Sequence, residues 1–343
     1  MANNSVQCEV VAETTAYVPL AVAQWIQAVT SVAAIALVTL VVPRYLKRCI
    51  FENTFKEIIV AIAATIVAHS VATTVVQFAH IISKFVAKTA CDAQIDKRFC
   101  ILRSVAMALF PLIAWLHASI TVQRIFTSFS ASEWAHRWIG RICIGVSIIY
   151  AGIHSYLVTD PSAFTGTTAY CTGVTSNNVI TMEANLHIIM VIDVVSISAD
   201  FLLLKYNLRK IRMNRYQLTI SFRRKQNIIS MQQFLPVALL NTIFYLFTYG
   251  VNMYGINIFG TLAPPASTAM VAFMNLVPWY CVLFPLMLYA SMEWRAKRRT
   301  SELIQMAMMH SPEEHFITLA AMWRNFPLGS SKSPSCGTAE DVL

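Results

Sequence analysis

The chain has 343 residues, of which 57% are hydrophobic and only 13% are charged. A soluble domain has about 25% charged residues, so this composition disfavours a soluble all-α protein with buried helices. Lys and Arg outnumber Asp and Glu by 26 to 17, which gives a net charge of +9. We expect this excess to form a basic rim at a membrane surface rather than a nucleic-acid-binding face. We therefore expect no nucleic acid among the partners of this protein.

Seven long apolar stretches follow one another along the sequence. The hydrocarbon core of a bilayer is ~30 Å thick and requires about 20 apolar residues in a helix. Backbone polar groups in lipid must also be bonded within their own segment. The predicted fold class is therefore an all-α membrane protein, a seven-transmembrane helix bundle embedded in a lipid bilayer. The predicted spans are residues 18–42, 58–83, 100–126, 142–159, 185–206, 234–259 and 266–290.

The basic residues lie mostly on one side of these spans. Cytoplasmic loops carry an excess of Lys and Arg. The first 43 residues contain neither, whereas the loop between the fifth and sixth spans and the segment after the seventh span are rich in both. We therefore expect an N-terminus outside (residues 1–17 extracellular) and a C-terminus in the cytoplasm.

Other classes of seven-span protein fit the sequence less well. A ligand-gated channel of the insect odorant-receptor type would have its N-terminus inside, opposite to the charge bias. A retinal protein needs a Lys in the last span, and residues 266–290 contain none. No nucleophile–base pair or metal cluster is recognisable, so we expect no enzyme, no catalytic residue, no metal and no cofactor. A small-solute transporter, with Asp193 and Asp200 as ion-binding groups, stays an alternative.

Four of the eight cysteines are expected outside, where disulfides persist: Cys8, Cys91, Cys100 and Cys171. Four cysteines allow three pairings. We favour Cys100–Cys171, which would join the outer end of the third helix to the second outer loop. Cys8–Cys91 is then the second pair, and free thiols are the alternative. Asn3 begins a glycosylation sequon, a tripeptide that is also common by chance.

Ionisable residues inside a span are costly and commonly face the bundle interior. Asp193 and Asp200 share one face of the fifth span, about 12 Å and about 22 Å from its outer end. Asp193 is therefore a candidate ligand-binding residue. The alternative is that each carboxylate pairs with a neighbour such as His117 or Arg124 and fastens helices together.

Four further residues near the outer ends are candidates for ligand binding: His80, His187, Tyr249 and Asn252. The two histidines are the outermost of those in the spans, and no pair of histidines has the i, i+4 spacing of a helical metal site. Tyr249 and Asn252 share a face of the sixth span with Tyr245 and could line a mixed polar and apolar pocket. Ordinary packing is the alternative for each.

Arg124 lies 24 residues after Cys100, about 36 Å along a helix, at the inner mouth of the third span. This position suits contact with a cytosolic partner or restraint of a resting state. The alternative is an Arg that extends its charged head to water from a helix end.

Two stretches carry a resemblance to a known family. Residues 118–126 read ASITVQRIF, and residues 216–227 read YQLTISFRRKQN, followed by Leu235-Pro236. The chain resembles the nematode serpentine chemoreceptors of the Sra superfamily, which includes the Sra, Srab, Srb and Sre families of G-protein-coupled receptors. The second stretch looks like the family's Tyr-x-Leu-Ser-x-Arg-Phe-Gln-x-x-Glu-Asn run leading to Leu-x-Pro. The matching residues are Tyr216, Leu218, Phe222, Asn227 and Pro236.

The chain also departs from this pattern. Gln123 stands where the family usually has an acid before Arg124, so an ionic partner for that Arg is missing from the adjacent position. Gln226 and Arg223 replace a Glu and a Gln, and the seventh span lacks the Asn-Pro-x-x-Tyr spacing of rhodopsin-like receptors. A less restrained resting state is the expected consequence of the missing acid.

The resemblance implies a chemosensory receptor of the plasma membrane, with sensory cilia as an expected location. It implies a small-molecule ligand in the outer bundle and a heterotrimeric G protein as the cytoplasmic partner. The residues expected to couple to the G protein are Arg124, Arg223, Arg224 and Lys225.

The segment after the last span is expected to be cytoplasmic. Residues 291–326 contain Trp294, a basic cluster and an apolar stripe, which favour amphipathic helical segments. Residues 327–343 are rich in Gly, Ser and Pro and are expected to be disordered. The terminal Asp341-Val-Leu343 could bind a PDZ domain, although such endings are frequent by chance.

Overall fold

The structure is a computed structural model that describes residues 2–48, 53–129, 133–158, 166–171, 179–213, 218–259 and 262–309. This part of the chain is almost entirely helical. Short 3₁₀ turns at Ala90–Ala93 and Lys97–Phe99 flank the strand β1 (Ile95–Asp96), which pairs antiparallel with β2 (Thr167–Thr168). The α-helices are α1 (Ala2–Ala16), α2 (Val18–Arg48), α3 (Asn53–Val86), α4 (Cys100–Phe129), α5 (Glu133–Val158), α6 (Val179–Met213), α7 (Leu218–Phe259), α8 (Pro264–Met274) and α9 (Val277–Met309).

Seven stretches of helix in the described part of the chain are long and apolar enough to cross a membrane. This confirms the predicted seven-helix bundle. Six come from α2 to α7, and α8 with α9 supplies the seventh. They are Val18–Lys47, Asn53–Val86, Lys97–Phe129, Trp138–Leu157, Ile180–Ile211, Arg224–Val251 and Pro265–Arg298.

The fourth helix, α4, lies at the centre of the bundle and packs against α3, α5, α6 and α7. The core around it includes the completely buried rings of Phe55, Tyr280 and Phe284. Other apolar side chains, such as Ile149 and Leu202, are more than half exposed on the outside of the bundle. Such residues suit a surface that faces lipid, where no water is present to penalise them.

A small residue allows two spans to approach closely. A Cβ added to Gly140 on α5 would overlap the side chain of Thr54 on α3. Small residues at helix crossings are a common means of packing in membranes, because dispersion contacts there replace the hydrophobic effect. Arg141, the next residue, forms an ion pair with Glu57 of α3 at 2.8 Å.

The helices continue beyond the predicted spans. The sixth span was predicted from residue 234, but α7 begins at Leu218, so Arg224 and Lys225 are helical rather than part of a loop. Hydropathy marks only the residues within the hydrocarbon core, whereas a helix gains backbone bonds from polar turns outside it as well.

The last span is interrupted, in contrast to the single segment 266–290 that was predicted. The first half ends at Asn275, whose N–H donates to Ala272 O at 3.3 Å, and α9 begins two residues later. Gln27 Nε2 donates to the same carbonyl at 2.6 Å, and Gln77 Nε2 donates to Gln27 Oε1 at 2.6 Å. Non-helical backbone at membrane depth needs such buried partners, because lipid offers none.

The Cys100–Cys171 disulfide is present and fastens the β2 segment to the start of α4. We call the end of the bundle at which these two cysteines lie the disulfide end, and the opposite end, where α4 finishes, the Arg124 end. Cys8 is also disulfide-bonded, whereas the side chain of Cys91, its predicted partner, lies outside the described residues. The side chain of Asn3 lies outside them as well.

The chain divides into two compact units, residues 1–292 and residues 293–343. In the second unit, the guanidinium of Arg298 lies over the ring of Trp294, with 5.6 Å between Cζ and the ring centroid. Residues 310–343 lie outside the described residues. The predicted amphipathic stripe, the disordered tail and the PDZ-type ending fall within this range.

Candidate functional site

Arg124 is buried between helices at the Arg124 end, with only 4% of its surface exposed. Its Cζ lies 4.2 Å from the centroid of the Phe55 ring on α3. Its Nη1 donates to Asn227 Oδ1 on α7 at 3.2 Å. An Arg that extends to water would expose its head, so this side chain is instead a bundle residue that holds α3, α4 and α7 in register.

A chain of hydrogen bonds extends from this contact to α6. Ser128 Oγ donates to Arg124 O at 2.9 Å. Ser128 Oγ in turn accepts from Asn227 Nδ2 at 2.6 Å and from Asn207 Nδ2 at 2.9 Å. We call Arg124, Ser128, Asn207 and Asn227 the Arg124 network. Because it ties α4, α6 and α7 together at one end, those helices cannot separate there without breaking it.

A small cavity adjoins the Arg124 network and has room for about one water molecule. Asp200 of α6 is 6% exposed and shares this cavity with Arg124, with which it interacts electrostatically. An acidic residue that interacts electrostatically with Arg124 therefore lies on α6. The neighbouring Gln123 is fully buried. Because adjacent side chains on a helix point in different directions, position 123 does not face the same neighbours as Arg124.

The basic residues expected to couple to a G protein begin α7 at this same end. Lys225 is exposed, and Arg224 is half-buried. The side chain of Arg223 lies outside the described residues. The Arg124 network and the described part of the basic run therefore occupy one end of the bundle.

Two predicted ligand residues meet at the disulfide end. Tyr249 Oη and His187 Nε2 are 2.9 Å apart, and their rings pack edge to face at 5.1 Å. The other ring nitrogen of His187 lies 2.8 Å from Glu183 O, so the imidazole is held from both sides. The side chain of Asn252 lies outside the described residues.

Asp193 is paired with an amide on α7. Its Oδ1 accepts from Asn241 Nδ2 at 2.8 Å, and its surface is 4% exposed. The two partners that the sequence suggested are engaged elsewhere: His117 Nε2 lies 2.8 Å from Tyr280 Oη, and Arg124 bonds Asn227. A buried carboxylate–amide bond of this kind fastens α6 to α7.

His80 belongs to a different group of contacts. It is 1% exposed, its Nε2 accepts from the backbone N–H of Cys171 at 3.2 Å, and its ring stacks on Tyr170 at 5.1 Å. The predicted ligand residues thus fall into two groups. One is His187 with Tyr249 between α6 and α7, and the other is His80 beneath the disulfide-linked segment.

Sequence reasoning missed a buried polar row that lies beside His80. Gln77 is 1% exposed, and Arg103, one turn below Cys100, is 4% exposed. Arg103 was not among the predicted site residues. Gln77, His80 and Lys84 follow one another at i, i+3 and i, i+4 spacings, and His69 lies about three helical turns before His80, which was a signal that these side chains lie on one side of α3. In the described part of the chain, no group of three or more His, Cys, Asp or Glu residues is arranged to hold a metal ion.

Residues 5–324 match the family model of the serpentine type 7TM GPCR receptor class ab chemoreceptors. No curated protein matches the chain. The match covers the whole bundle and agrees with the seven membrane-crossing helices and the Cys100–Cys171 disulfide described above. The chain therefore belongs to the class ab family of serpentine seven-transmembrane chemoreceptors.

Proposed function

We propose that the protein is a chemoreceptor that binds a small molecule at the disulfide end and couples to a heterotrimeric G protein at the Arg124 end. In this proposal the disulfide end faces outward and the C-terminus is cytoplasmic, as the distribution of Lys and Arg favours. The plasma membrane, including that of sensory cilia, is the proposed location.

The observation that carries the proposal is the Arg124 network. A receptor needs two arrangements of its helices, and a ligand acts by binding one of them more tightly than the other. The contacts of Arg124 with Asn227 and Phe55 tie three helices together, which suits a resting arrangement. Opening this end would expose Arg124 beside Arg224 and Lys225, a basic surface to which a G protein could bind.

The ligand site is proposed to lie among the polar groups of the disulfide end. His187 and Tyr249 supply a hydrogen-bonding pair between α6 and α7, and Asp193 lies deeper on the same α6. A ligand that engages α6 and α7 would change how these helices meet, and both helices also carry members of the Arg124 network at their opposite ends. This shared pair of helices is a physical route from one end to the other.

The test is a signalling assay in cells that express the receptor with a promiscuous G protein, screened against small molecules. With an activating compound in hand, Arg124→Ala should abolish the response at normal surface expression. Arg141→Ala is the matched control, since Arg141 lies at the same end but pairs with Glu57 outside the network. A full response from Arg124→Ala would overturn the proposed role of Arg124.

A further inference from the structure

Arg103 is a buried cation near the disulfide end of α4. Its surface is 4% exposed, and it follows Cys100 by a single helical turn. Its neighbours Ile101, Leu102 and Val105 are the exposed residues of this turn, so Arg103 faces the bundle interior rather than lipid. A charge in such a place is costly unless something pairs with it.

Two of the three guanidinium nitrogens of Arg103 have no hydrogen-bond acceptor among the described residues. Nε and Nη1 of Arg103 are buried and have no hydrogen-bond partner there. No ion pair with Arg103 is found in that part of the chain either. A guanidinium has five N–H donors and stays charged, so the vacant donors define a place where acceptor atoms are needed.

The groups described around Arg103 include two buried imidazoles and one further cation, Lys84, but no carboxylate. Arg103 interacts electrostatically with His69 and with His80, and Lys84 also acts on His80. Lys84 is held at this end because its Nζ donates to Gln24 Oε1 at 3.0 Å. These residues lie on α2, α3 and α4, beneath the segment that Cys171 fastens.

The described carboxylates at the disulfide end lie at the protein surface. Every one of them is exposed: Glu9, Glu13, Asp92, Asp96 and Glu183. Asp92 accepts from Thr89, and Asp96 accepts from the backbone of Arg98. The deeper Asp193 is bonded to Asn241. The buried positive region around Arg103 therefore has no matching negative group in this part of the chain.

We propose that Arg103 is the counter-ion for an anionic small-molecule ligand, an organic carboxylate, bound under the Cys100–Cys171 linkage. This inference rests on the proposed receptor function and names the chemical class of its ligand. The carboxylate accepts from the vacant Arg103 donors, and Lys84 increases the local positive potential. Guanidinium–carboxylate bonds of this kind are strong because both partners are charged and the Arg103 side chain is buried.

The experiment is a thermal-shift measurement on the purified full chain in phosphatidylcholine nanodiscs, without a G protein. The probes are hexanoate, octanoate, decanoate and benzoate, each with its own primary amide as the neutral control. At least one carboxylate should raise the melting temperature while its amide does not. Arg103→Gln should lower the affinity of the receptor for that carboxylate by about tenfold or more.

Arg98→Gln is the matched control, because Arg98 is 83% exposed at the same end and its loss should leave the carboxylate shift intact. Absence of a shift with every carboxylate would overturn the proposal. Equal shifts by a carboxylate and its amide, or a shift that survives in Arg103→Gln, would overturn it too. Those outcomes leave the receptor function standing, since that function is judged by signalling through Arg124.

A second measurement needs no ligand. If no protein carboxylate pairs with Arg103, Arg103→Gln removes an uncompensated charge, and the ligand-free receptor should melt at the same or a higher temperature than the unaltered chain. A clear fall in melting temperature in Arg103→Gln but not in Arg98→Gln would show that Arg103 is bonded within the protein. That result would overturn the proposal whatever the probes do.

Discussion

Arg124 and Asn227, which lie 103 positions apart, meet at the Arg124 end, where Nη1 of the Arg donates to Oδ1 of the Asn at 3.2 Å. The same amide donates to Ser128 one helical turn below Arg124. Asn227 is thus the residue of α7 that holds the cytoplasmic half of α4 in our proposed orientation. Arg124 is therefore bonded by a neutral amide from another helix, while the adjacent position 123 is a Gln rather than an acid.

Asn227→Asp should lower ligand-independent signalling. A carboxylate at position 227 makes the contact with Arg124 charge-assisted but loses the bond that the amide donates to Ser128. A net gain of about 1 kcal/mol for the resting arrangement would reduce the active fraction about fivefold. Asn227→Leu removes both bonds and should raise basal output. Basal G-protein activation per receptor at the surface is the measurement. Gln226→Glu adds the same charge one residue earlier and should change basal activation little. Equal effects of the two substitutions would contradict the specific role of Asn227.

Removing the Cys100–Cys171 disulfide should destabilise the receptor by about 2–5 kcal/mol. The loss also frees the Cys171 backbone N–H from His80, so the segment above the proposed site is released. Cys100→Ser, Cys171→Ser and the double variant should melt alike, because each removes the same bond. Cys143→Ser, at a half-buried free thiol, should melt like the unaltered chain. An unchanged melting temperature in the double variant would count against this account.

Tyr249→Phe should lower the potency of an activating compound about two- to tenfold. The ring stays in place against His187, but the hydrogen bond worth about 0.5–1.5 kcal/mol is lost. His187→Ala should have an equal or larger effect. Tyr254→Phe is the control on the same helix, since Tyr254 is 71% exposed. Dose–response curves at matched expression measure the effect; a potency that changes only in Tyr254→Phe would place the ligand elsewhere.

The Asp193–Asn241 bond should behave as a fastening between α6 and α7. Asn241→Leu removes the amide that donates to the buried carboxylate and should cost about 1–3 kcal/mol of stability. Exchanging the two residues, Asp193→Asn with Asn241→Asp, restores a donor facing an acceptor and should recover most of that loss. Ser198→Ala on the exposed side of α6 serves as the control. If the exchange melts no better than Asn241→Leu, the pair does not act as a unit.

Hydropathy and the low content of charged residues were sufficient to predict the seven membrane-crossing helices, because membrane thickness and backbone bonding leave few alternatives. Topology placed four cysteines on one side and left three pairings open, of which the favoured one, Cys100–Cys171, is present. The break at Asn275 was not predictable, since the apolar composition continues across it. What makes the break tolerable is the amide of Gln27, which comes from a span nearly 250 residues earlier.

The partners of buried polar residues were the part that the sequence could not provide. Helical spacing places Asp193 and Asp200 on one face but does not say which neighbouring helix that face meets. In the structure Asp193 meets Asn241, while Asp200 lies beside Arg124. Arg103 was not predicted as a site residue: it lies only one turn inside the predicted third span, and it is the packing of α3 against α4 that shows it to be buried.

The orientation of the bundle is the central claim on which the proposed function depends, and a topology measurement tests it most directly. An epitope tag at each end of the chain is labelled by antibody in intact and in permeabilised cells. The account predicts that the N-terminal tag is labelled in intact cells and the C-terminal tag only after permeabilisation, which places Arg124 and Lys225 toward the G protein. Labelling of the N-terminal tag only after permeabilisation would contradict it.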